Sequence, residues 1–267
     1  MIHVRKMDGS VVPYDSSKIE NSFRNAGADE QTIGKVMSKI KGILHEGMTT
    51  KEIFKFGYNE LRKYSKTASS RYNLKNALLE LGPEGYLFER FVARILQKHG
   101  YSTRTDVTVK GRFVEHEIDV VASKGNKKFM VECKHHRFPG IYCDIKTALY
   151  VYARFLDVKK NFNSPMLATN TKFSSPVIDY AKGVGLKLLG WKMPINDSIE
   201  YNIEKYKLYP INVLHTIDKN SEKILFANGF LLVSDFIGKE KEISKVLKIN
   251  MNKAAEITNE AKSLVEN

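Results

Sequence analysis

An alternating run with β-branched residues and a second run with a short apolar centre, separated by a polar turn, constrain the fold of this chain more than any other feature. The first run, "RFVEHEIDVVAS", covers residues 112–123, and the second, "KKFMVECK", covers residues 127–134. Between them lie Gly125 and Asn126, residue types that adopt the tight backbone conformations of turns. The two runs therefore predict an antiparallel β-hairpin whose second strand has a buried apolar centre.

The predicted hairpin brings acidic and basic side chains together. Side chains alternate between the faces of a strand, so Asp119 on the first strand would lie near Glu132 and Lys134 on the second. Neighbouring carboxylates raise each other's pKa, and a divalent cation removes that cost. Oxygen ligands suit Mg²⁺ or Mn²⁺, and the bound ion can acidify a water and neutralise a scissile phosphate.

The hairpin is thus the outline of a phosphodiester-cleaving site, in which Lys134 would hold the attacking water or a phosphate oxygen. Glu117 lies on the same strand face as Asp119 and competes for the role of metal ligand. The alternative is a surface hairpin with ordinary charges, because 27% of the residues are charged.

The surroundings of the hairpin resemble the type IV (Mrr-like) branch of the PD-(D/E)xK restriction endonucleases. An amphipathic helix, "FERFVARILQKHGY", precedes the hairpin, and "ATNTKFSSPVIDYAKGVGLKLLGW" follows it as strand, helix and strand. The resemblance implies that Asp119 and Glu132 bind the metal, that Lys134 is the catalytic lysine, and that Glu89 is an additional helix carboxylate. "EHEID" and "VECK" depart from the usual glycines and Gln of the family, but Glu132 is within its permitted set.

Four side chains beyond the second strand are candidates for contacts with the DNA backbone. They are His135, His136, Arg137 and Lys146. Contacts of this kind fix the position of DNA without reading its sequence. Imidazoles just past a metal strand are more often hydrogen-bonding residues than metal ligands.

The N-terminal residues predict a small hairpin at Asp8-Gly9 followed by four helices, the third beginning at Thr49 or Thr50. The stretch "VRKMDGSVVPYDSSKI" resembles the opening of the ATP cone, the regulatory domain of ribonucleotide reductases that binds ATP or dATP. The resemblance implies a nucleotide site formed by Lys6, Asp15, Lys18, Thr50, Arg71 and Lys75. No P-loop sequence is present, so we expect a sensor and not a nucleotide hydrolase.

The C-terminal residues predict short helices separated by turns at Gly229 and at "NMN", residues 250–252. This rhythm resembles the tandem helix-hairpin-helix of RecA-like recombinases, which presents backbone N–H groups to DNA phosphates. Asn250 and Asn252 replace the usual glycines of the second hairpin, and Asn tolerates a left-handed backbone. The alternative is a helical packing or dimerisation module.

The net charge and the composition of the sequence limit the class of protein. The formal net charge is +13 over 267 residues, which indicates a polyanionic partner, most simply nucleic acid. No segment approaches the roughly 20 apolar residues of a membrane span, and no apolar run follows the basic N-terminus as in a signal peptide. The two cysteines, Cys133 and Cys143, fit neither a disulfide framework nor a zinc site. We expect a cytoplasmic protein without a membrane partner.

Breaks rich in Pro and Gly at residues 81–85 and 192–198 divide the chain into three parts. We expect an ATP cone at residues 1–82, a restriction-endonuclease-like domain at 83–195 and a helical domain at 196–267. The fold class is multidomain α/β: a small helical ATP cone with an N-terminal hairpin, an α/β core with a mixed sheet, and an all-α, helix-hairpin-helix-like C-terminal domain.

These features together predict a metal-dependent DNA endonuclease whose activity or assembly, as a homo-oligomer, responds to ATP or dATP. This combination of domains suits restriction or phage defence. Two alternatives remain open: a nucleotide-sensing DNA-binding regulator with an inactive nuclease fold, and a repair or structure-specific nuclease.

Overall fold

The computed structural model describes residues 2–82 and 85–266. The predicted break at residues 81–85 includes Pro83 and Glu84, which lie outside the described residues.

The chain forms two compact units, and its first and last segments belong to the same one. Met1–Ala77 and Pro210–Asn267 make one unit, and Leu78–Tyr209 makes the other. Nowhere in the described ranges is there a helix that combines the length and the apolar character needed to cross a membrane.

The N-terminal segment is a hairpin followed by five helices. Its elements are β1 (His3–Arg5), β2 (Val11–Pro13), α1 (Ser16–Asn25), α2 (Glu30–Ile43), α3 (Thr50–Tyr64), α4 (Lys66–Tyr72) and α5 (Leu74–Leu79). The hairpin prediction is confirmed. The predicted fourth helix is instead two helices, because the chain turns at Asn73, a residue type that competes for backbone hydrogen bonds and so weakens a helix interior.

Side-chain caps set where these helices begin. Asp15 caps α1 and accepts a hydrogen bond from the Ser17 N–H at 3.1 Å. Thr49 and Glu52 form a reciprocal capping box at α3, with Glu52 N–H donating to Thr49 Oγ1 at 3.1 Å. Such caps satisfy N–H groups that the first helical turn leaves without partners. The buried side chains of the segment then pack into one core that includes Phe23.

The second unit is an α/β structure. Its elements are α6 (Tyr86–Lys98), β3 (Ser102–Lys110), β4 (Glu115–Lys124), β5 (Lys127–Lys134), β6 (Tyr142–Cys143), α7 (Ile145–Val158), β7 (Ser164–Thr169), β8 (Lys172–Phe173), α8 (Ser175–Val184), β9 (Lys187–Leu189) and α9 (Ile199–Tyr206).

The main sheet has the order β3-β4-β5-β7-β9. The strands β3, β4 and β5 are antiparallel, whereas β5, β7 and β9 are parallel, so the sheet is mixed as predicted. The central strand β5 buries Phe129, Met130 and Val131, which explains its continuous apolar run. The short strands β6 and β8 form a separate parallel pair.

The C-terminal segment is helical, with α10 (Lys219–Ala227), α11 (Glu240–Leu247) and α12 (Met251–Glu266). The turn before α12 differs from the prediction, because Lys248, with φ of 55°, is the residue in the left-handed conformation. The Asn250 side chain instead accepts a hydrogen bond from the Lys253 N–H at 2.9 Å, and Asn252 lies within α12. Asn250 therefore serves as a helix cap, a role that its side-chain carbonyl suits as well as a turn.

His215 joins the C-terminal segment to the N-terminal helices within their shared unit. Its Nδ1 lies 3.1 Å from the Tyr58 hydroxyl on α3, and its Nε2 lies 2.9 Å from the Ser69 hydroxyl on α4. The N–H groups of His215 and Thr216 donate to the Glu260 carboxylate on α12 at 2.8 and 2.9 Å. One segment thus connects helices α3 and α4 with the last helix of the chain.

Candidate active site

The hairpin of β4 and β5 brings Asp119 and Glu132 together. Val120 is paired with Val131, so Asp119 and Glu132 are the next facing positions along the two strands. The Asp119 Oδ2 accepts a hydrogen bond from the Cys133 N–H at 2.7 Å. The Asp119 carboxylate therefore reaches the backbone of β5 immediately beside Glu132.

The carboxyl groups of this region hold protons unusually strongly. Burial, together with the negative charge of Asp119, raises the pKa of Glu132 to about 7. Burial also raises the pKa of Asp119. On α6, burial and the charges of Asp119 and Asp106 raise the pKa of Glu89 to about 8. Clustered groups whose pKa values are perturbed in one direction mark a site with too little positive charge, and such sites are often functional.

Arg154 supplies part of the missing positive charge, and the sequence patterns did not identify it. Its guanidinium, on α7, donates to the Glu132 Oε2 and to the backbone carbonyl of Glu117. The side chain of Arg154 is only 10% exposed and that of Glu132 only 18%, so the pair is shielded from solvent. The sequence signal for Arg154 is weak, a single basic residue within the apolar run "ALYVYARFLDV".

Asp106 is a second site residue that the sequence did not reveal. Strands β3 and β4 pair at Thr105 with Val120 and at Val107 with Ile118, and Asp106 lies between these pairs. Asp106 has a left-handed φ of 54°, which few residue types other than Gly adopt easily. A hydrogen bond between Glu89 and Asp106 contributes to the raised pKa of Glu89, after burial and the nearby charges.

Lys134 ends β5 with its side chain exposed. Its backbone carbonyl accepts a hydrogen bond from the Thr169 hydroxyl at 2.8 Å, which fixes the end of the strand against β7. Its charge opposes the rise in the pKa of Glu132 that burial and Asp119 produce. The ammonium group is therefore within electrostatic reach of the Glu132 carboxylate.

The two histidines after β5 hold a loop in place. The His135 Nε2 lies 2.8 Å from the Leu78 carbonyl, and His136 exchanges backbone hydrogen bonds with the Asn170 side chain, each 2.8 Å long. Burial lowers the pKa of both imidazoles, which are therefore neutral near pH 7. Arg137, in this loop, is exposed, and so is Lys146 in the first turn of α7. Contact of these four side chains with DNA stays a prediction.

The donor set suits a hard divalent cation that keeps waters. Across residues 2–82 and 85–266, no three or more His, Cys, Asp or Glu side chains are grouped as a metal site. The pair Asp119 and Glu132 nevertheless offers two carboxylates of raised pKa, and a cation between them would remove the repulsion. Mg²⁺ is commonly bound through one or two carboxylates, with waters and phosphate oxygens completing its shell. The residues present thus fit such an ion.

The raised pKa of Glu89 predicts that stability depends on pH. The folded state holds this proton up to about pH 8, whereas the unfolded chain releases it near 4.5. Between these values the folded state binds more protons, so this contribution to stability declines as pH rises. We expect a Glu89→Gln variant, measured by thermal unfolding in EDTA, to melt higher than wild type near pH 8 and equally near pH 5.

The comparison with Glu89→Gln is needed because other groups titrate in the same range. The pKa values of His135, His136 and His215 are lowered by burial, and these histidines make stability rise with pH below their ordinary value of 6.5. They contribute equally to wild type and variant. A difference between the two that stays constant with pH would show that Glu89 does not titrate as described.

Four of the six nucleotide-site candidates of the N-terminal segment fall at two places. Lys6 follows β1 and Thr50 begins α3, and these elements meet where the Arg5 N–H donates to the Met48 carbonyl at 3.0 Å. Near the start of α1, the Lys18 Nζ lies 3.5 Å from the Asp15 carboxylate.

Arg71 and Lys75 belong to the following helices. Arg71 lies in the last turn of α4 beside Gly27, where an added Cβ would come within 3.1 Å of its Nη1. Lys75 lies in the first turn of α5. Gly27 follows the C-terminal end of α1, so Arg71 is separated from Asp15 by the length of this helix, about 15 Å. Whether these residues bind one nucleotide stays a prediction.

Comparisons with known proteins identify three parts of the chain. Residues 82–191 match the family described as "Restriction endonuclease", residues 2–76 match "ATP cone domain", and residues 209–265 match "AF1548-like, C-terminal". The three matches confirm the fused architecture that the sequence predicts.

Relatives extend the similarity over much of the chain. A protein of Archaeoglobus fulgidus described as uncharacterized is 42% identical over 175 residues, which are 65% of this chain and 99% of the relative. A crystal structure of AF1548 is 42% identical with a TM-score of 0.60, and the match covers 68% of this chain and 98% of that one. The structure of Can2 from Sulfobacillus thermosulfidooxidans with cyclic tetra-adenylate matches at 17% identity and a TM-score of 0.36, over 53% of this chain and 38% of that one. The chain therefore belongs to the AF1548-like family, and it joins a restriction endonuclease domain and the AF1548-like C-terminal domain to an ATP cone.

Proposed function

We propose that this chain is a divalent-metal-dependent endonuclease that hydrolyses phosphodiester bonds of DNA and responds to ATP or dATP. The observation that carries the proposal is the pairing of Asp119 and Glu132 on facing positions of β4 and β5, with Lys134 ending the same strand. A polyanionic substrate agrees with the net charge of +13.

Each residue has a role that its surroundings support. Asp119 and Glu132 would hold the cation, which would acidify a water and neutralise charge on the scissile phosphate. Lys134 orients the attacking water or a phosphate oxygen. Arg154 holds the Glu132 side chain in place. In the reaction the water oxygen bonds to phosphorus and releases a proton to solvent as the bond to the leaving oxygen breaks, and the leaving oxygen takes up a proton.

Glu89 is the proton donor that the site offers for this last step. In the metal-free site its pKa of about 8 keeps the carboxyl protonated at neutral pH, and burial is the main cause. A carboxylic acid with a pKa near the working pH can both give and recover a proton.

Nucleotide control would act through the unit that contains the ATP cone. Arg71 and Ser69 lie on α4, and Ser69 contacts His215, which is itself held by Glu260 of α12. A nucleotide that contacts Arg71 would therefore bias α4 and, through His215, the C-terminal segment. We further propose that the protein is a homo-oligomer assembled through this unit. Its three domains are proposed to have the boundaries that the sequence predicts. Its biological role is proposed to be restriction or phage defence.

The proposal is tested by incubating supercoiled plasmid, methylated and unmethylated, with Mg²⁺ or Mn²⁺. We expect nicking or linearisation by wild type and none by Glu132→Ala, because the variant lacks one of the two cation ligands. EDTA should abolish cleavage by wild type.

Parallel reactions with ATP and with dATP test the sensor. We expect the cleavage rate to change with nucleotide, and the change to disappear in Lys18→Ala if Lys18 contacts phosphate. Intact plasmid under every condition, with retardation on a gel, would instead support a nucleotide-sensing DNA-binding regulator.

A further inference from the structure

Three exposed aromatic rings lie on or beside α7, and each of them has a basic group over its face. Phe113 is 77% exposed, Tyr142 is 52% exposed and Tyr150 is 59% exposed. The basic groups lie 4.8 to 5.9 Å from the ring centroids, in the pairs Arg112 with Phe113, Lys172 with Tyr142, and Arg154 with Tyr150. Exposed apolar side chains that stand singly need no explanation, whereas exposed side chains grouped in one patch mark interaction sites.

The helix α7 connects these rings to the candidate active site. Tyr150, Arg154 and Asp157 are spaced four and three residues apart, so they lie on one face of the helix. Arg154 of this face contacts Glu132, and the Asp157 carboxylate accepts the Phe113 N–H at 2.9 Å. Tyr142 comes two residues before Asp144, the N-cap of the same helix. The three rings are thus attached to one element, which is about 20 Å long.

This combination of groups fits unpaired bases better than it fits a duplex. An aromatic ring stacks on the flat face of any base, and a neighbouring Lys or Arg contacts the phosphate that follows it. In a duplex the base faces are covered by the neighbouring bases, so a surface ring cannot reach them without unstacking. A contact that only reads the duplex backbone needs basic groups and no exposed rings.

We propose that the surface formed by Phe113, Tyr142 and Tyr150 with Arg112 and Lys172, here the α7 platform, binds single-stranded nucleic acid. This inference rests on the proposed nuclease function, and it names the form of the substrate: an unpaired strand that stacks on the α7 platform beside Glu132. The two strands of an intact duplex are then poor substrates, and unpaired regions are cut first.

The test is equilibrium binding measured by fluorescence anisotropy in EDTA, where no cleavage occurs. The probes are labelled single-stranded DNA and RNA of one sequence, about 12 nucleotides long, and the corresponding DNA duplex. We expect both single strands to bind more tightly than the duplex. Comparison of the DNA strand with the RNA strand then shows whether deoxyribose or ribose is preferred. Tyr150→Ala should weaken single-strand binding about tenfold, and Tyr150→Phe should not, because the ring face makes the contact.

A matched control comes from α9 of the same unit. Tyr201 also has a lysine over its ring, with the Lys205 Nζ 5.5 Å from the centroid, but it is not attached to α7. Tyr201→Ala should bind single strands as wild type does. Equal binding of duplex and single strand, or equal losses in Tyr150→Ala and Tyr201→Ala, would overturn the inference.

Two further results distinguish the α7 platform from the nuclease function and from an interface between copies of the chain. If wild type binds single strands as described but never cleaves nucleic acid, the α7 platform stands and the proposed nuclease function fails. If light scattering shows a dimer that Tyr150→Ala dissociates, and single-strand binding is unchanged, the surface is a dimer interface and the inference is wrong.

Discussion

A Lys134→Met variant is expected to cleave plasmid at least about 100-fold more slowly than wild type at saturating DNA and Mg²⁺. The loss arises because the ammonium group is the positive charge that the site offers to the attacking water or the phosphate oxygen. Methionine keeps much of the length of the side chain, and Lys134 is exposed, so the variant should unfold at the same temperature as wild type. The measurement is the initial rate of nicking, accompanied by thermal unfolding.

A control on the same strand distinguishes chemistry from general attraction to DNA. Lys127 begins β5 and is exposed, so Lys127→Met removes the same charge at the opposite end of the strand. We expect it to weaken DNA binding modestly and to leave the rate at saturating DNA unchanged. If the two variants lost equal rate, Lys134 would be an ordinary DNA-attracting lysine and the assignment of a catalytic lysine would be wrong.

The requirement for Mg²⁺ should also change in Lys134→Met. The charge of Lys134 opposes the rise in the pKa of Glu132, although burial and Asp119 have the larger effects. Without that charge the site attracts every cation more strongly, and a divalent ion gains more than a proton does. The Mg²⁺ concentration for half-maximal cleavage should therefore fall, and it should fall more at higher pH, where Glu132 holds no proton that Mg²⁺ must displace.

Local patterns in the sequence were sufficient to predict the hairpin and its facing carboxylates. Alternation along a strand depends only on the backbone, so Asp119 and Glu132 follow from the runs that contain them. The cap at Thr49 was also predictable from the local sequence, because Glu52 lies three residues away and completes the capping box. The ATP cone and restriction endonuclease parts were recognised by resemblance, and both matched.

Features that depend on tertiary packing were not predictable in this way. Arg154 reaches Glu132 from a helix 22 residues further along the chain, and no local pattern states that this helix lies over the hairpin. Asp106 matters because of its left-handed backbone between two strand pairs, which propensity does not encode. The contact of His215 with Ser69 spans 146 residues, so the sharing of one unit by the two ends of the chain was likewise beyond the sequence patterns.

Arg154→Met should destabilise the metal-free protein by about 3–5 kcal/mol near pH 8, because it leaves the Glu132 carboxylate buried without its partner. The pKa of Glu132, about 7 with Arg154 present, is higher in the variant because Arg154 lowers it, so near pH 5.5 the carboxyl is protonated and the loss should be smaller. The chain has one tryptophan, Trp191, which is buried in the unit that contains the pair. Its fluorescence during urea unfolding therefore reports the stability of that unit.

The double variant Arg154→Met/Glu132→Gln decides whether charge or packing is responsible. With both charges removed, no unpaired ion remains, and we expect most of the lost stability to return near pH 8. The double variant should still fail to cleave DNA, because one cation ligand is missing. The double variant could instead be as unstable as Arg154→Met alone. Arg154 would then stabilise the protein by packing on Tyr150 and its neighbours, and its charge would contribute nothing to stability. Recovered stability would instead show that Arg154 balances the negative charge of Glu132 in the metal-free protein, as the cation does when it is bound.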